Sequence, residues 1–339
     1  MARQPTIRDV AREAAVSTVT VSRVVNAPAL VKSETRARVE AAMGRLGYLP
    51  NAAAQSMRTN VSRTIGFLVP DLTNYPNAAV AKAAEARLAE AGYYMLLTDS
   101  DHDVAREERF LRLLRSRQVD GILLYLSDED DPAVQATIEG LDIPVVVLDR
   151  SLPFAVDTVF SEHRAAMRQT VLHLAAQGHR ELALLLPDLR VRPVRERAAG
   201  FAEAVRAAGL APERQSVVRA EPLAGGPEAI SRLLTGPARP SALLIDGTRL
   251  LAAAFEGLRR HGLTGHVRPI AIDAVEPLAA ALPEVVGIAR DFAAIGRQAA
   301  TLLIDRLSGA LSGPPRRITL ASRAVMAEQG WRLEATGKR

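Results

Sequence analysis

Cysteine is absent from the 339-residue chain, so disulfide bridges, thiolate metal sites and cysteine nucleophiles are excluded. No apolar run approaches the ~18 residues that a membrane-spanning helix needs. The opening residues, MARQPTIRDV, also lack the apolar centre of a signal peptide. These absences predict a protein of a reducing compartment without a membrane partner, and we expect it in the cytoplasm.

Signatures of catalysis are missing as well. The chain has no Gly-rich phosphate loop of the G-x-G-x-x-G or G-x-x-x-x-G-K type, and none of its six histidines has metal-ligand spacing to another histidine. Four of them, His173, His179, His261 and His266, have the sequence surroundings of surface or loop residues. We therefore expect no catalytic residue, no metal and no cofactor, and we do not expect an enzyme.

The net charge of +5 is confined to the first sixty residues. That segment holds nine Lys and Arg residues against four Asp and Glu residues, so the rest of the chain sums to zero. With 48% hydrophobic and 24% charged residues, the chain has the composition of two or three globular domains. A basic head on a neutral body is typical of a protein whose head alone meets a polyanion. An arginine-rich composition without such a role would spread the excess along the chain.

Three short helices are predicted in the head. Thr6 and Asp9 have the spacing of a capping box and begin a first helix over 6–14. Ser17 can cap a second helix, which turns Val21 and Val24 inward. A third helix begins near residue 33 and supplies the apolar face against which the others pack, through Thr35, Val39, Ala42, Met43 and Leu46. Two short helices joined by a tight turn form a helix-turn-helix.

The second helix carries the predicted base contacts. With the valines inward, Thr18, Val19, Ser22 and Arg23 face outward, and in a helix-turn-helix this helix enters the major groove. Arg23 can donate two hydrogen bonds to guanine, and Val19 offers methyl groups to thymine. Short polar side chains suited to phosphates are Thr6, Ser17, Thr20 and Asn26. A three-helix module that binds a protein is the alternative for this segment.

The stretch TIRDVAREAAVSTVTVSRVVNAPALVKSETRARVEAAMGRLGYLPNAAAQSMRT, over 6–59, resembles the head and hinge of the lac repressor family of bacterial transcription regulators. The resemblance runs without a gap and implies that Thr18, Val19 and Arg23 contact bases. Family members usually have Gly where Ala15 stands. Because a residue with a Cβ disfavours positive φ, we expect strain or a shift in this turn.

A hinge follows over 50–60. Pro50 ends the preceding helix, and Asn51 to Arg58 is alanine-rich enough for about two helical turns that should fold only against DNA and a second copy. The resemblance implies that Met57 replaces the leucine that wedges into the minor groove. A plain linker is the alternative. The predicted DNA contacts from this region are Tyr48, Asn51, Ala54, Met57 and Arg58.

The body alternates short apolar runs with stretches of helical length. The runs are 64–70, 93–99, 121–126, 144–150, 181–187, 241–246, 268–273 and 285–290. Continuous apolar strands between helices indicate parallel sheets covered on both faces, and eight such units favour two doubly wound lobes with a crossover near residue 160. The resemblance implies further crossings near 288–293 and 320, and thus a type I periplasmic-binding-protein-like body.

These patterns predict an all-α helix-turn-helix head joined to an α/β body of two doubly wound parallel-sheet lobes. The head spans 1–49, the hinge and linker 50–60, and the effector-binding and dimerisation body 61–339. Within the body, lobe 1 comprises about 61–160 and 291–320, and lobe 2 comprises about 161–290 and 321–335.

Polar residues at strand ends predict an effector site, because ligands bind at the carboxyl ends of strands in such sheets. Arg197 precedes AAGF as in the family's R-x-A-G-F motif, and the resemblance assigns it and three aspartates to effector contacts. The full prediction is Asn74, Tyr75, Asp101, Asp149, Arg197, Asp246, Asp273 and Arg290. Carboxylates beside an arginine suit a polyol, whose hydroxyls donate and accept, so we expect a sugar-like effector. An aspartate at a strand end can also merely cap the next helix.

Departures from the family pattern leave the ligand open. The chain has IDG at 245–247, DA at 273–274, SEH at 161–163 and YPN at 75–77, where the family often has Asn-Asp, Asp-Asp, Asp-Asn and an aromatic pair. The arginine-rich RVRPVRER at 190–197 favours a solvated surface over a site for a phosphorylated ligand.

Together these features predict a dimeric transcription regulator, a repressor, that binds a palindromic operator in duplex DNA under the control of a small-molecule effector. Its location would be the bacterial cytoplasm, on the nucleoid. A transport-type solute receptor would explain the body but not the head. A sequence-independent architectural protein would explain the head but not a large neutral body.

Overall fold

A computed structural model of the chain describes residues 5–49, 61–222, 224–236, 239–273 and 286–325. The chain divides into two compact units, residues 1–62 and 63–339, which correspond to a head and a body. The predicted hinge contacts Asn51, Ala54, Met57 and Arg58 lie outside the described residues. Among the residues that are described, no helix is both long enough and apolar enough to cross a bilayer.

The head contains helices α1 (Ile7–Glu13), α2 (Thr18–Asn26) and α3 (Ser33–Leu46), with a 3-10 turn at Pro28–Leu30. The predicted caps of α1 and α2 are present. The backbone N–H and the hydroxyl of Thr6 both donate to Asp9 Oδ2, at 2.9 and 2.6 Å, and Ser17 Oγ accepts from the N–H of Thr20 at 3.1 Å. Capping matters here because helices this short are marginal by themselves.

Burial of one face of each helix holds the head together. The fully covered side chains come from all three helices and form a single cluster: Val10, Ala11, Ala14, Val21, Val24, Val39 and Ala42. Ile7, Val16, Val31, Met43, Leu46 and Tyr48 pack around it. The three-helix prediction for the head is confirmed.

The turn between α1 and α2 contains the expected departure from ideal geometry. Ala15 has a φ of +50°, which is the left-handed region that residues with a Cβ disfavour. The backbone still closes the turn, since the N–H of Ala15 donates to Arg12 O at 3.2 Å and that of Val16 to Ala11 O at 3.0 Å. Ala15 therefore adopts the conformation for which glycine is better suited.

The described body contains twelve strands in two sheets. They are β1 (Thr64–Val69), β2 (Tyr94–Asp99), β3 (Gly121–Leu124), β4 (Val145–Leu148), β5 (Asp157–Ser161), β6 (Leu182–Pro187), β7 (Ser216–Ala220), β8 (Ala242–Asp246), β9 (Arg268–Ile272), β10 (Gly287–Arg290), β11 (Arg317–Leu320) and β12 (Ser322–Val325). Sheet 1 has the order β11-β5-β4-β3-β1-β2 and is parallel throughout. Sheet 2 has the order β12-β10-β9-β8-β6-β7, with β12 antiparallel.

Helices cover both faces of each sheet. The body helices are α4 (Tyr75–Glu90), α5 (Val104–Ser116), α6 (Pro132–Glu139), α7 (His163–Ala176), α8 (Arg192–Ala207), α9 (Gly226–Thr235), α10 (Thr248–Arg260) and α11 (Phe292–Ser308). On sheet 1, α4 and α11 pack on one face and α5 and α6 on the other, each side with its own apolar cluster. On sheet 2, α7 and α8 oppose α9 and α10 in the same way. The predicted pair of doubly wound lobes is confirmed.

The chain passes between the two lobes at three places. It leaves sheet 1 after β5 to begin α7, leaves sheet 2 after β10 to begin α11, and crosses once more between β11 and β12. Because all three crossings lie near the carboxyl ends of their first strands, they lie beside the cleft between the lobes. We refer to sheet 1 with its helices as lobe 1 and sheet 2 with its helices as lobe 2.

Sequence patterning found eight of the twelve described strands and missed four. All eight predicted apolar runs contain strands, whereas β5, β7, β11 and β12 were not predicted. Strands β7, β11 and β12 lie at or toward sheet edges and alternate exposed with partly covered residues, so they lack a continuous apolar run. Strand β5 lies within the polar stretch 150–163, which the sequence indicated only as a crossover.

Close helix pairs in both lobes depend on a glycine. A Cβ on Gly200 of α8 would lie 2.4 Å from Arg164 O of α7, and a Cβ on Gly296 of α11 would lie 2.4 Å from Val80 O of α4. Only a residue without a side chain allows these backbones to approach so closely. Gly200 thereby fixes the position of α8, whose Arg197 lies one turn earlier.

The head should gain stability when Ala15 is replaced by glycine. Left-handed φ costs an alanine ~1–2 kcal/mol, and the extra unfolded-state freedom of glycine returns part of that, so Ala15→Gly should stabilise the head by about 0.5–1 kcal/mol. The control, Ala41→Gly on the exposed side of α3, should destabilise it by about 1 kcal/mol. Amide hydrogen exchange of the head in the full chain measures both. If Ala15→Gly destabilised the head, the left-handed φ of Ala15 would not be a source of strain.

Candidate functional site

One face of α2 in the head is free of packing and carries the predicted base-contact residues. Thr18, Val19 and Arg23 are exposed, whereas Val21 and Val24 on the opposite side are fully covered. Val19 is 63% exposed, which is unusual for a valine in a helix with a buried side. Within the described part of the chain the Arg23 guanidinium forms no ion pair. The face thus presents hydroxyl, methyl and guanidinium groups together.

The short polar residues predicted as phosphate contacts have structural roles in the head. Thr6 caps α1 and Ser17 caps α2, where Ser17 Oγ also lies 2.9 Å from Thr20 Oγ1. The amide of Asn26 donates to Ser22 O at 2.7 Å and lies 3.1 Å from Ser22 Oγ. Tyr48, also predicted to contact DNA, packs against the head core because the chain turns back there after α3. These contacts make the residues structural in the unbound head.

Ion pairs leave an excess of positive charge on the head surface. Three acids are matched within the head: Asp9 with Arg12 at 3.6 Å, Glu13 with Arg45 at 2.9 Å and Glu40 with Arg36 at 3.9 Å. Among the described residues of the head, the cations without an ion pair are Arg8, Arg23, Lys32 and Arg38. Such a surplus attracts a polyanion in a salt-dependent manner.

In the body, the carboxyl ends of the two sheets face each other across a cleft. Its lining contains six of the eight predicted effector residues, namely Asn74, Asp149, Arg197, Asp246, Asp273 and Arg290. The cavity between the walls has a volume of about 90 Å³. Proline and aliphatic side chains complete the walls: Pro70, Pro76, Pro187, Leu189, Val191, Pro193 and Val194.

Charged side chains on the floor of this cleft form a continuous chain. Arg197 donates to both oxygens of Asp246, at 2.7 and 2.6 Å, and to Asp273. Arg290 donates to Asp273 through Nε and Nη2, both at 2.8 Å, and to Asp149 at 2.6 Å. All five residues are buried. Asp149 belongs to lobe 1, whereas the other four belong to lobe 2, within α8 or at the ends of its strands. The chain of ion pairs therefore joins the lobes.

Two of these aspartates occupy equivalent, strained positions in the two lobes. Asp149 follows β4 with a φ of +50°, and Asp273 follows β9 with a φ of +63°. The N–H of each donates to the neighbouring strand, at 2.9 Å to Val159 O and 2.9 Å to Ile288 O respectively. Non-glycine residues held in this region cluster at functional sites, because packing must maintain the strain. The repeated geometry aims both carboxylates into the cleft.

The cleft acids differ in their protonation chemistry. Burial alone would raise the pKa of Asp149, but the neighbouring His163, Arg290 and the Ser161 N–H outweigh it and hold that pKa well below its usual range. Burial is likewise outweighed at Asp273, where the two arginines lower the pKa to about 2. At Asp246 burial prevails over Arg197, so its pKa is raised. Asp149 and Asp273 are thus ionised counter-charges for the arginines at neutral pH.

His163 lies under this network. Its Nε2 is 3.2 Å from Asp149 Oδ1, and the ring is 1% exposed. Burial lowers the pKa of His163 to about 4, against the opposing pull of Asp149. The ring is therefore neutral at physiological pH, and it adds no charge to the cleft.

Three polar atoms of the cleft residues lack a partner among the described residues. Arg197 Nε is a buried donor, Asn74 Oδ1 a buried acceptor, and His102 Nδ1 a buried nitrogen of a ring whose pKa is lowered by burial. Buried polar groups are ordinarily paired, because leaving one without a partner costs about 1–3 kcal/mol. A ligand with both donors and acceptors would satisfy all three atoms.

The structure changes the membership of the predicted effector set. Tyr75 does not line the cleft, since its ring packs edge-on against Phe292 at 5.7 Å, and Asp101 lies in an exposed turn with a φ of +53°. Sequence reasoning missed His102, Tyr125 and Arg150, which do line it. All three follow strands of sheet 1 within a few residues, so the strand-end rule that found Asp149 applies to them as well.

In the arginine-rich segment 190–197, Arg190 and Arg195 are exposed, as the sequence favoured, and they also form ion pairs with lobe 1. Arg190 pairs with Asp128, and Arg195 pairs with Glu129 and Asp130, all on the loop that follows β3 of lobe 1. Arg192 lies over the Phe160 ring at 4.3 Å and donates to Ser161 O at 3.1 Å. The sequence did not indicate these pairs, because the acidic partners are about sixty residues away in the chain. We call these contacts the arginine clasp.

A further bridge between the two lobes is formed by Arg249. Arg249, at the start of α10, donates to Asp71 Oδ2 at 3.1 Å and to Thr73 Oγ1 at 2.6 Å in lobe 1. Burial would raise the pKa of Asp71, but the Thr73 and Arg249 hydrogen bonds outweigh it and lower that pKa. The arginine clasp and the Arg249 bridge therefore both join the two lobes.

Histidine is not assembled into a metal centre in the described residues, where no cluster of three or more His, Asp or Glu side chains could hold an ion. His179, predicted at the surface, is instead buried, with Nδ1 2.9 Å from Ser241 Oγ. Burial and the nearby Arg268 lower its pKa to about 4. His179 is buried because it lies just before β6 and its partner Ser241 lies just before β8, and these two strands are neighbours in sheet 2.

Two family models match the chain. Residues 6–51 match "Bacterial regulatory proteins, lacI family", and residues 62–265 match "Periplasmic binding proteins and sugar binding domain of LacI family". The first match covers the helix-turn-helix and the second covers most of the two lobes. The junction between them falls next to the boundary between head and body.

Relatives and solved structures agree with these matches. The ribose operon repressor of Escherichia coli K12 is 30% identical over 308 residues, covering 89% of this chain and 93% of that protein. The transcriptional repressor CytR of the same strain is 30% identical over 317 residues, covering 92% and 93%. The crystal structure of a lac repressor dimer bound to operator and the anti-inducer ONPF superposes with a TM-score of 0.83 at 26% identity, covering 96% and 99%.

Stability of the body should fall as the pH drops from about 6.5 to 4. The unfolded chain protonates its histidines near ~6.5, whereas buried His163 and His179 stay neutral until about 4. In that window the unfolded state binds more protons, so the free energy of unfolding decreases with falling pH. Denaturant unfolding at pH 7, 6 and 5 measures the slope, which should become shallower in His163→Gln and in His179→Gln.

A matched control for this slope is His261→Gln, because His261 is exposed at the end of α10. Its unfolding free energy should follow that of the parent chain at all three pH values. If the unfolding free energy of His163→Gln depended on pH as steeply as that of the parent chain, the His163 ring would not be the neutral buried group described above.

Proposed function

This chain belongs to the lacI family of bacterial regulatory proteins, and from that premise we propose that it is a repressor whose affinity for a palindromic operator is set by a sugar or sugar derivative bound between its lobes. Its head is the DNA-binding domain and its body the effector-binding domain. It acts as a dimer, as such regulators do, and the two heads read the two halves of the operator.

The head contributes sequence recognition through α2. Arg23 is exposed and without an ion pair in the described head, so its guanidinium is available for a guanine in the major groove. The exposed methyl groups of Val19 suit a thymine methyl beside it. Arg8, Lys32 and Arg38 supply the phosphate attraction that Thr6 and Asn26, engaged within the head, supply less readily.

One observation supports a sugar as the effector. In the cleft, the charges of the arginines and aspartates offset each other, and three buried polar atoms nearby have no partner among the described residues. Arg197 and Arg290 are already neutralised by the carboxylates of Asp149, Asp246 and Asp273. An anionic ligand would meet those carboxylates, and the third arginine of the lining, Arg150, already donates to Leu126 O and Asp149 O. A cationic ligand would have to displace the arginines. A neutral ligand rich in hydroxyl groups can donate to and accept from the same atoms, which supports a sugar.

The same network offers a path from ligand to DNA. Arg290 stands where the chain crosses between the lobes and binds Asp273 and Asp149 at once, so hydroxyls that compete for either carboxylate alter the contact between lobes. A change in the contact between the lobes also changes the arginine clasp and the Arg249 bridge, because they join the same two lobes. We expect a coupling free energy of about 1–3 kcal/mol between effector and operator.

Two expectations remain predictions. Relatives such as the ribose operon repressor are transcriptional repressors, which agrees with a chain that has no catalytic role. A regulator that binds an operator works where the bacterial chromosome lies, so the cytoplasm and the nucleoid are the predicted location.

Replacing Arg23 should relax base choice at one position of each half-site. Arg23→Ala removes a bidentate contact worth ~1–3 kcal/mol of discrimination, so selection from a random duplex library should lose one preferred base per half-site. Arg38→Ala removes the same charge from α3, and it should weaken binding to all duplexes alike. An unchanged base preference in Arg23→Ala would remove this residue from the recognition surface.

Replacing Arg197 should uncouple the effector while leaving operator binding intact. Arg197→Lys keeps the charge beside Asp246 and Asp273 but loses the planar fork, so the sugar concentration for half-maximal response should rise by about tenfold or more. Labelled operator DNA is titrated with the chain in the presence of D-glucose, D-galactose, D-ribose, D-xylose and their disaccharides.

The control for that experiment is Arg206→Lys, an exposed arginine on the same helix. It should respond to sugar as the parent chain does. An Arg197→Lys chain with the parent's response would refute the assignment of the cleft, and a parent chain that responds to none of these sugars would refute the effector class.

A further inference from the structure

The cavity between the lobes is too small for a sugar ring in the arrangement that the structure shows. Its volume of about 90 Å³ is room for about three water molecules, since each takes up roughly 30 Å³ in the liquid. Sites that bind small molecules are several times larger, at about 300–1,000 Å³. The two lobes must therefore move apart before a sugar can enter.

The arginine clasp belongs to the segment that forms one wall of this cavity. At the start of α8, Val191 and Val194 line the cavity, whereas Arg190 and Arg195 on either side of them pair with acids of lobe 1. The N–H of Glu129 in lobe 1 also donates to Arg190 O, at 3.3 Å. Moving this wall away from lobe 1 to make room for a ligand breaks these contacts.

Resting on the proposed sugar effector, we propose that the arginine clasp is a latch that holds the cleft closed without a ligand and opposes effector binding. The described lining of the cavity includes neither Arg190 and Arg195 nor their acidic partners, so a bound sugar does not replace the contacts that opening breaks. Arg290 and Asp149 differ, because both line the cavity and sugar hydroxyls can become their partners. The free energy of breaking the clasp is therefore subtracted from that of effector binding.

The pair between Arg195 and Glu129 is the stronger part of the clasp, because the Glu129 side chain is fully buried. The Ser151 N–H donates to Glu129 Oε2 at 2.7 Å and fixes the carboxylate in that position. The Arg195 side chain is 46% exposed and that of Arg190 is 69% exposed, so salt reaches both guanidinium groups. Salt therefore weakens the clasp, whereas a neutral sugar has no charge on which salt would act.

Calorimetric titration of the full chain without DNA tests the latch, with D-glucose, D-galactose, D-ribose and D-xylose as probes. In the variant that combines Arg190→Gln with Arg195→Gln, the sugar that binds the parent chain should bind about threefold to tenfold more tightly. Raising NaCl from about 0.05 to about 0.5 M should tighten binding to the parent about twofold to threefold, and should change the variant less. Arg190→Gln alone serves if the double variant fails to fold, and should tighten binding by about twofold.

The matched control is Arg164→Gln, which removes an ion pair of similar exposure within one lobe. Arg164 of α7 pairs with Glu203 of α8, both in lobe 2, and its side chain is 47% exposed against 46% for Arg195. Because this pair does not cross the cleft, Arg164→Gln should bind sugar as the parent does at both salt concentrations.

Spin labels on the two lobes report opening without a sugar. Ala136 on α6 and Ala202 on α8 are exposed, and the chain has no cysteine of its own, so Ala136→Cys and Ala202→Cys each take one label. The distance is measured in an excess of unlabelled chain, which dilutes pairs between copies. It should lengthen when Arg190 and Arg195 are both replaced by glutamine.

The outcomes separate this inference from the function on which it rests. If a sugar binds the parent and the double variant equally, or binds the variant more weakly, the clasp is not a latch and the sugar effector stands. An unchanged label distance in the double variant would overturn the latch as well. If none of the sugars binds the parent or the variant, the sugar effector falls, and the label distance alone decides whether the clasp holds the lobes closed.

Discussion

The body depends on one interaction, the buried chain of alternating aspartate and arginine side chains that runs from Asp149 through Arg290, Asp273 and Arg197 to Asp246. Removing any one member would leave an uncompensated charge in the interior, which costs several kcal/mol. Replacing the whole chain by apolar residues would cost far less. Its value is therefore specificity, because it holds two lobes in one arrangement that a hydroxyl-bearing ligand can alter.

The contacts around this network show how the two lobes are kept in register. The arginine clasp and the Arg249 bridge are each formed by side chains from both lobes. Their arginines are partly exposed, so each pair contributes little stability singly, whereas the buried pair between Arg290 and Asp149 is shielded from water. Added salt should therefore weaken the partly exposed ion pairs before it weakens the buried pair between Arg290 and Asp149.

In the head, a small number of residues must hold α2 in a fixed position. Its apolar cluster is small, so caps at Thr6 and Ser17 and close packing of three short helices must hold α2 in place. Holding α2 by one face leaves Thr18, Val19 and Arg23 exposed on the other. The alanine at position 15 retains the turn at the cost of a left-handed φ, which shows that the turn geometry is imposed by helix packing and not by local preference.

The sequence by itself determined the elements with strong local signals. The capping residues Thr6 and Ser17, the buried valines of α2 and the eight continuous apolar runs are readable because caps and periodic burial leave a pattern within a few residues. The strand-end aspartates were predictable for the same reason. Only the tertiary structure decided which charges meet. Arg195 and Glu129, or Arg290 and Asp149, are brought together by three crossings between the lobes, and no local pattern encodes such a pairing. The edge strands, the burial of His179 and the exclusion of Tyr75 and Asp101 from the cleft likewise depend on what packs against each segment, and those neighbours are distant in sequence.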